Sequence, residues 1–381
     1  MRKNNKIIKT WLVLLFVVLN FAFFVPVNIF DVSAEKGSLS SAKSMVVLES
    51  STGRILYSSN EHLCLPMAST TKIITAIYVI EHCENLDKII KIPKEAEGIS
   101  GTSIGLKEGE HLSIRELLYG LMLRSGNDCA VALAIETSGS VQNFANDVNS
   151  FLKSLGLRET HIVNPHGLSE KEHYTSASDL AFISAYAMKN ETFKEIVSTK
   201  EKRISNELES KYNRNLKNKN KLLSTFNGAD GVKTGFTISA GRCFVGSATR
   251  NGMQLICVLL NCVPMFEDCS NLLEKGFREF SMCKILEKGR KYFVFDGNEK
   301  LEFVSDKDFS LPLTEKEKQD ISLKFVLQNQ AKNDKEKMFG EICAQVYLEK
   351  QLIFSHKIYI INNIENNGSV EDNLQKIFQK M

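Results

Sequence analysis

Residues 66–76 place a serine and a lysine three positions apart at the head of an apolar run, Pro-Met-Ala-Ser-Thr-Thr-Lys-Ile-Ile-Thr-Ala. The apolar face continues to about His82, which predicts a helix over 68–82 that is buried on most sides. On such a helix Ser69 and Lys72 lie on one face, one turn apart. Burial would favour a neutral Lys72, which accepts the Ser69 hydroxyl proton, so Ser69 is a candidate nucleophile. The spacing alone is common and unspecific.

A second polar fragment, Ser-Gly-Asn-Asp at 125–128, lies between two predicted helices. Gly126 would permit a tight turn in which Ser125 and Asn127 point the same way. Serine, asparagine and aspartate are also common helix caps. Taken by itself, this fragment is therefore explained by capping.

The remaining periodicity predicts a chain that mixes helices and strands. Besides 68–82, helical spacing predicts helices over 112–124, 129–137, 144–155 and 176–189. Alternating apolar runs bounded by turn residues predict strands over 44–49, 54–58, 231–237, 243–248 and 254–261. The polar segment 200–221 predicts exposed loops or weak strands. His166, in the loop 164–168, is interpreted as a structural histidine rather than a base.

A third fragment, Lys233-Thr234-Gly235, lies on the predicted strand 231–237. The three fragments follow one another in this order on a helix start, a helix connection and a strand, and this combination is specific. On these residues the chain resembles the penicillin-reactive serine acyltransferases, and within them the low-molecular-weight D-alanyl-D-alanine carboxypeptidases. The resemblance covers about residues 40–280 and extends to the motifs at 57–60, 164–168, 174–177 and 230–237.

The resemblance implies an α/β catalytic domain of the β-lactamase/D,D-peptidase type, in which an antiparallel sheet carries a helical subdomain, followed by a small all-β domain. The catalytic domain is expected over 35–280. A change to alternating runs and polar turns predicts a β-rich domain over 281–365. Its predicted strands are 291–295, 301–304, 321–327, 341–348 and 351–359.

The resemblance also implies the catalytic residues. Ser69 would attack the carbonyl of the peptide bond between two D-alanines, and Lys72 would accept its proton. Ser125 would relay a proton to the departing amine. The oxyanion would lie between the backbone amides of Ser69 and Phe236.

The expected substrate-binding residues are Asn127, Lys233, Thr234, Gly235 and Phe236. By the resemblance, Asn127 bonds a peptide amide of the substrate, and Lys233 with Thr234 holds its terminal carboxylate. Lys233 would also favour a neutral Lys72 by raising the local positive potential. Gly235 would leave room for substrate along the strand. Some relatives use a downstream arginine as a further carboxylate ligand. Residues 252–276 contain none, so that ligand is left open.

The implied function is a serine-type D-Ala-D-Ala carboxypeptidase that trims peptidoglycan pentapeptide stems and is acylated by β-lactam antibiotics. Within the family, the resemblance is to the sporulation-type subgroup. A serine β-lactamase shares the three fragments, but class A members add a Glu-x-x-x-Asn loop that 159–174 lacks. A wall-binding protein with decayed catalytic machinery is a third hypothesis, and the three intact fragments argue against it.

Residues 1–34 predict an export signal, with a basic start, an apolar run over 11–27 and small residues at 32 and 34. An uncleaved membrane anchor is the alternative, because the run approaches the length that spans a bilayer. Either interpretation places the rest of the chain outside the cytoplasm, at the outer face of the membrane or in the wall. The net charge of +3 resides in this segment, so the remainder is neutral and does not indicate a nucleic-acid partner.

The C-terminal tail, 366–381, carries its apolar residues on one helical face. In the resembled family such a helix often rests on the outer face of the cytoplasmic membrane. Here Glu371 and Asp372 oppose Lys376 and Lys380, so attraction to anionic lipid would be weak. Membrane contact through 369–381 and packing on the β-domain both remain open.

The nine cysteines are odd in number and show no disulfide framework spacing. Cys129, Cys243, Cys257 and Cys343 lie in apolar segments and are expected to be buried thiols. A single disulfide between Cys262 and Cys269 is left open. The seven histidines are scattered and no Cys-x-x-Cys occurs, so neither a metal nor a cofactor is expected.

Overall fold

The computed structural model describes residues 39–204, 213–296, 299–305, 307–330, 340–348 and 350–359. The candidate leader at 1–34 and the candidate tail at 366–381 lie outside the described residues. The described residues form two compact units, of which the first ends at Met282 and the second begins at Cys283.

The first unit combines strands and helices. Its strands are β1 Ser44–Glu49, β2 Ile55–Ser59, β3 Ile89–Lys91, β4 His111–Ser113, β5 Glu201–Ile204, β6 Arg214–Lys217, β7 Ala229–Thr237, β8 Gly241–Arg250 and β9 Met253–Leu260. Its helices are α1 Thr71–His82, α2 Ile114–Leu123, α3 Asn127–Ser138, α4 Val141–Ser154, α5 Ala177–Met188, α6 Glu191–Ser198, α7 Leu222–Thr225 and α8 Met265–Glu279. A 3-10 turn, Ala68–Thr70, leads directly into α1.

Five of these strands form an antiparallel sheet in the order β2-β1-β9-β8-β7. β8 and β9 are joined by Asn251 and Gly252, both with positive φ, as a two-residue hairpin turn requires. β7, which carries the Lys-Thr-Gly fragment, is an edge strand. Its fragment therefore lies at the border of the sheet, beside the helices.

Separate apolar cores cover the two faces of this sheet, and the alternation of β1 assigns one set of side chains to each. Val46 and Leu48 belong to the core that contains α1. Met45 and Val47 belong to the core formed with α8. α1 is central to the first core, with every residue from Thr71 to Val79 buried, as its continuous apolar pattern predicts.

The second unit is mostly β-structure. Its elements are β10 Ser281–Leu286, β11 Lys291–Asp296, β12 Glu299–Val304, β13 Phe309–Leu313, α9 Glu315–Asp320, β14 Ile321–Gln330, β15 Gly340–Leu348 and β16 Gln351–Tyr359. The strands pair as β10 with β13, β11 with β12, and β14-β15-β16. Leu286, Val294, Phe303 and Ile342 form part of its core. The predicted fold class, a sheet and helix domain followed by a small β-domain, is confirmed.

Several local predictions were incomplete or wrong. The chain begins the 68–82 segment with a 3-10 turn, and α3 begins at Asn127 rather than at Cys129. α6 and α8 were not predicted. The expectation that 200–221 is exposed is wrong at Ile204 and Leu216, which are buried in the hairpin of β5 and β6.

All nine cysteines are free thiols, and the four expected to be buried are buried. The disulfide left open between Cys262 and Cys269 is not formed. Cys262 instead lies 3.3 Å from the Ser41 hydroxyl and 3.3 Å from the Asp268 carboxylate. Among the described residues, no helix is both long enough and apolar enough to cross a membrane.

Candidate active site

The turn before α1 holds Ser69 in an unusual backbone geometry. Ala68, directly before it, has a φ of 50°, a left-handed conformation that is uncommon for a residue with a Cβ. Side-chain hydroxyls fix the surrounding carbonyls: Thr70 donates to Met67 O at 2.6 Å and Thr71 donates to Ala68 O at 2.8 Å. The first turn of the helix is thereby locked around the candidate nucleophile.

Lys72 is fully buried and makes three polar contacts. Its Nζ lies 3.0 Å from Ser69 Oγ, 2.7 Å from Asn127 Oδ1 and 2.5 Å from His166 O. Burial, and secondly the charge of Lys233, hold the pKa of Lys72 well below its usual range. A neutral amine has two N–H groups, which the amide and carbonyl oxygens accept. Its lone pair is then left for the Ser69 hydroxyl proton.

The loop after α4 braces this helix through its backbone. His166 O accepts from Lys72, and Pro165 O accepts from the Thr75 hydroxyl at 2.7 Å. Asn164 Oδ1 accepts from Gly167 N at 2.7 Å and closes the loop. Burial, and secondly Lys72, lower the pKa of His166 to about 4, so its ring is neutral at physiological pH. The contribution of His166 to Lys72 is its carbonyl, in agreement with its interpretation as a structural residue.

The 125–128 fragment forms the connection from α2 to α3, with two differences from expectation. The positive φ, 65°, belongs to Ser125 and not to Gly126. Gly126 is needed for a different reason: a Cβ there would lie 2.7 Å from Asp128 Oδ1 and 2.9 Å from Cys129 Sγ. Ser125 is buried, and its hydroxyl makes no hydrogen bond within the described part of the chain.

Asn127 is buried and both ends of its amide are engaged. Oδ1 accepts from Lys72, while Nδ2 donates to Ser100 O at 2.7 Å. The substrate-amide contact expected from the sequence would therefore share an oxygen that already orients Lys72. Sequence reasoning missed this link, because the two residues lie on different helices.

Sequence reasoning also missed Asp128, whose buried carboxylate organises the loop between β3 and β4. It accepts from the Ser103 hydroxyl at 2.7 Å and from the amides of Ile104, Gly105 and Leu106 at 3.0 Å each. The neighbouring backbone bond from Asn127 N to Thr102 O, 2.7 Å, joins the same loop to α3. The only sequence signal was the position of Asp128 directly after the Ser-Gly-Asn turn.

On β7, Lys233 is 2% exposed and its Nζ donates to Thr234 O at 2.8 Å. Burial, and secondly Lys219, lower the pKa of Lys233 to about 7. Gly235 faces the nucleophile turn: a Cβ there would lie 3.0 Å from Ser69 N. Phe236 is 61% exposed, with the Arg242 guanidinium 5.6 Å from its ring centre.

The geometry thus joins a fully buried lysine to a serine hydroxyl and places an edge strand, with a further lysine, beside that serine's amide. Residues 31–263 match the family described as D-alanyl-D-alanine carboxypeptidase. Residues 280–366 match the family described as penicillin-binding protein 5, C-terminal domain. The chain therefore belongs to the D-alanyl-D-alanine carboxypeptidase family of serine peptidases.

Individual relatives agree with this assignment. The chain is 32% identical over 271 residues to D-alanyl-D-alanine carboxypeptidase DacF of Bacillus subtilis, covering 66% of this chain and 69% of the relative. It is 30% identical over 374 residues to DacA of Haemophilus influenzae, covering 91% and 92%. The crystal structure of penicillin binding protein 5 from Haemophilus influenzae superimposes with a TM-score of 0.73 at 27% identity, covering 87% of this chain and all of that one (100%).

Proposed function

We propose that this chain removes the terminal D-alanine from peptidoglycan stem peptides through an acyl-enzyme on Ser69. The observation that carries the proposal is the 3.0 Å contact between Lys72 Nζ and Ser69 Oγ, at an amine whose pKa burial holds well below its usual range. As Ser69 Oγ adds to the penultimate carbonyl, its proton passes to Lys72. The C–N bond then breaks as Ser125 gives its proton to the departing D-alanine and takes the proton held by Lys72, and water hydrolyses the ester, which restores the Ser69 hydroxyl.

The oxyanion of the tetrahedral intermediate lies between the amides of Ser69 and Phe236 in this proposal. The closeness of Gly235 to Ser69 N supports this position for the oxyanion, because the edge strand then lies directly against the nucleophile turn. Lys233 and Thr234 bind the substrate carboxylate, and the peptide extends along β7 as an added strand. Asn127 holds Lys72 and faces the peptide amide.

Penicillin is proposed to acylate Ser69 and to leave slowly. In class A β-lactamases a glutamate activates the water that hydrolyses that adduct. No carboxylate among the described residues hydrogen-bonds to Ser69 or Lys72. This environment favours a carboxypeptidase that penicillin inhibits over a β-lactamase.

Labelling with a fluorescent penicillin tests the acyl-enzyme. The wild type should retain one covalent label per chain, and Ser69→Ala should retain none. Ser150→Ala, which changes an exposed serine on α4, is the matched control and should label like the wild type. An unlabelled wild type would refute acylation at Ser69, and rapid turnover of the drug would favour the β-lactamase.

The substrate is tested by D-alanine release from a pentapeptide that ends in D-Ala-D-Ala. Release should require Ser69 and Lys72. Labelling without release would instead indicate an endopeptidase that acts on cross-linked strands, or a penicillin sensor. Neither labelling nor release would indicate a wall-binding protein with decayed machinery.

We also propose that the chain acts outside the cytoplasm, with 1–34 as its export signal. N-terminal sequencing of the exported protein should find Glu35 first, whereas an intact leader would indicate an anchor. Membrane contact through 369–381 is tested by liposome flotation with and without that segment, and equal flotation would exclude it. A sporulation role predicts that the protein accumulates during spore formation and not during vegetative growth.

A further inference from the structure

A line of hydrogen bonds runs from a buried histidine to the turn that carries Ser69. His173 is 2% exposed and lies in the segment between α4 and α5. Its Nδ1 accepts from Val163 N at 3.2 Å, and its Nε2 lies 2.8 Å from the Thr71 hydroxyl. Thr71 in turn donates to Ala68 O at 2.8 Å. Neither His173 nor Thr71 has a role in the acyl transfer described above.

The donors and acceptors fix the direction of this line. Nδ1 is an acceptor, because a backbone N–H donates to it. Thr71 has a single hydroxyl proton, which it gives to Ala68 O, so its oxygen must accept from His173 Nε2–H. Burial, and secondly the nearby His166, lower the pKa of His173 to about 3, which agrees with this neutral tautomer.

The end of the line is the peptide unit that contains the Ser69 amide. Ala68 C=O and Ser69 N–H belong to one planar group and point in opposite directions, so fixing the carbonyl fixes the N–H. Ala68 needs this support, because its φ of 50° is a conformation that alanine rarely adopts. A Cβ at Gly167 would overlap the Ala68 oxygen, so the neighbouring loop also confines that carbonyl.

We propose that His173, acting through Thr71 and the Ala68 carbonyl, is a positioning residue that aims the Ser69 amide at the oxyanion. This inference rests on the proposed acyl transfer at Ser69. Successive bonds that donate in one direction also polarise each other, which strengthens the last N–H as a donor. The line therefore acts on the transition state, where the oxyanion forms, more than on bound substrate.

The experiment compares Thr71→Val, which removes the hydroxyl at nearly constant volume, with Thr71→Ser, which keeps it. For Thr71→Val we expect kcat and kcat/KM for D-alanine release to fall together by about 10- to 100-fold, with KM changed less than about twofold. The affinity for a D-alanine boronic acid, whose tetrahedral adduct places an oxygen in the oxyanion position, should fall by a similar factor. Thr71→Ser should restore most of the loss.

His173→Phe supplies the second test, and His161→Phe is its matched control. His161 lies in the same segment but is not buried, and it bonds Glu172 O rather than Thr71. Both changes are made to phenylalanine, which keeps a ring but has no donor, unlike a glutamine amide. His173→Phe should reproduce the kcat effect of Thr71→Val, and the double variant should lose little more than either single variant. His161→Phe should keep wild-type kinetics.

Two outcomes would overturn the proposal. One is a Thr71→Val enzyme with wild-type kcat and boronate affinity but a lower melting temperature, which would make the line purely structural. The other is a rise in KM at constant kcat, which would assign it to substrate binding. If Thr71→Val does not fold, the same criteria apply to His173→Phe. A wild type without acyl-enzyme would instead refute the proposed function itself.

Discussion

Gly235 lies so close to Ser69 that a Cβ on the glycine would stand 3.0 Å from the serine amide nitrogen. The same Cβ would lie 3.2 Å from Met67 O and 3.2 Å from Ala68 Cβ, two further atoms of the nucleophile turn. The turn is held by its own hydroxyl bonds and β7 by its pairing with β8, so neither backbone is free to give way. The close spacing between the edge strand and the nucleophile turn therefore depends on glycine, which has no side chain, at position 235.

Gly235→Ala is expected to impair acylation more than folding. The added methyl pushes β7 away from the turn and separates the two amides that would share the oxyanion. We expect the second-order rate of penicillin acylation to fall by about 10-fold or more, by comparison with the loss of one oxyanion donor. Stopped-flow labelling measures the rate, and thermal unfolding reports the fold.

Phe236→Ala is the control for that variant. Its side chain is 61% exposed and its backbone amide remains, so acylation should change little. An acylation rate in Gly235→Ala equal to that of the wild type would show that acylation does not depend on the spacing between the strand and the turn.

The charge on Lys233 predicts the pH dependence of substrate binding. Burial and Lys219 lower its pKa to about 7, so the ammonium is lost as the pH rises through that value. For a peptide with a free terminal carboxylate, kcat/KM should decline above neutrality, by at most roughly tenfold per pH unit. A substrate with a C-terminal amide should not show this decline in kcat/KM. Lys233→Arg should remove it, because a guanidinium stays charged.

Lys219 provides a second check on the same titration. The charge of Lys219 lowers the pKa of Lys233, so Lys219→Gln should move the decline in kcat/KM to higher pH. The matched control is Lys217→Gln, which changes an exposed lysine two residues away on β6. It should leave the decline in kcat/KM at the same pH as in the wild type. A decline in kcat/KM that persists in Lys233→Arg would be caused by the titration of another group.

The sequence predicted the site best where each part is local. The spacing of Ser69 and Lys72 on one turn, and the apolar face behind them, need only helical periodicity. The hairpin of β8 and β9 follows from Asn251-Gly252 between alternating runs. These features survive in the structure because the tertiary environment agrees with the local preference.

Contacts between distant segments were not predictable in this way. Thr71 and His173 are 102 residues apart, and Lys72 and Asn127 are 55 residues apart. No periodicity relates such pairs, and a buried histidine in a loop looks like any other polar loop residue. The prediction that Gly126 permits the turn at 125–127 was incomplete for a related reason. Glycine is the usual residue for positive φ, but Ser125 adopts the positive φ here.

Asp128→Asn is expected to destabilise the loop between β3 and β4. Oδ2 accepts from three consecutive amides and the Ser103 hydroxyl, and Oδ1 accepts from Cys129 N, so an asparagine would turn its NH2 group against N–H groups on one side and leave them unpaired. We expect the free energy of unfolding to fall by about 3 kcal/mol, typical for lost bonds to a buried charge. Urea unfolding measures the change.

The matched control is Asp87→Asn, whose carboxylate pairs with Arg115 on the surface and is 70% exposed. Surface ion pairs add little, so its urea midpoint should hardly move. Equal midpoints for the two variants would mean that the Asp128 bonds contribute no more than a solvated pair.

Asn127→Asp is expected to make acylation dependent on alkaline pH. The substitution keeps the size of the side chain but places a carboxylate where Oδ1 now lies, 2.7 Å from Lys72 Nζ. A nearby negative charge favours the ammonium, so the pKa of Lys72 should rise. The neutral base then becomes scarce at pH 7, and acylation should recover as the pH is raised.

Acylation rates measured from pH 6 to pH 10 separate this effect from a disrupted site. If Asn127 serves chiefly to orient Lys72 and keep its pKa low, the variant approaches the wild-type rate at high pH. If its main role is the bond from Nδ2 to Ser100 O, the rate stays low at every pH, because a carboxylate cannot donate that bond. Asn143→Asp, an exposed change on α4, should leave the profile unaltered.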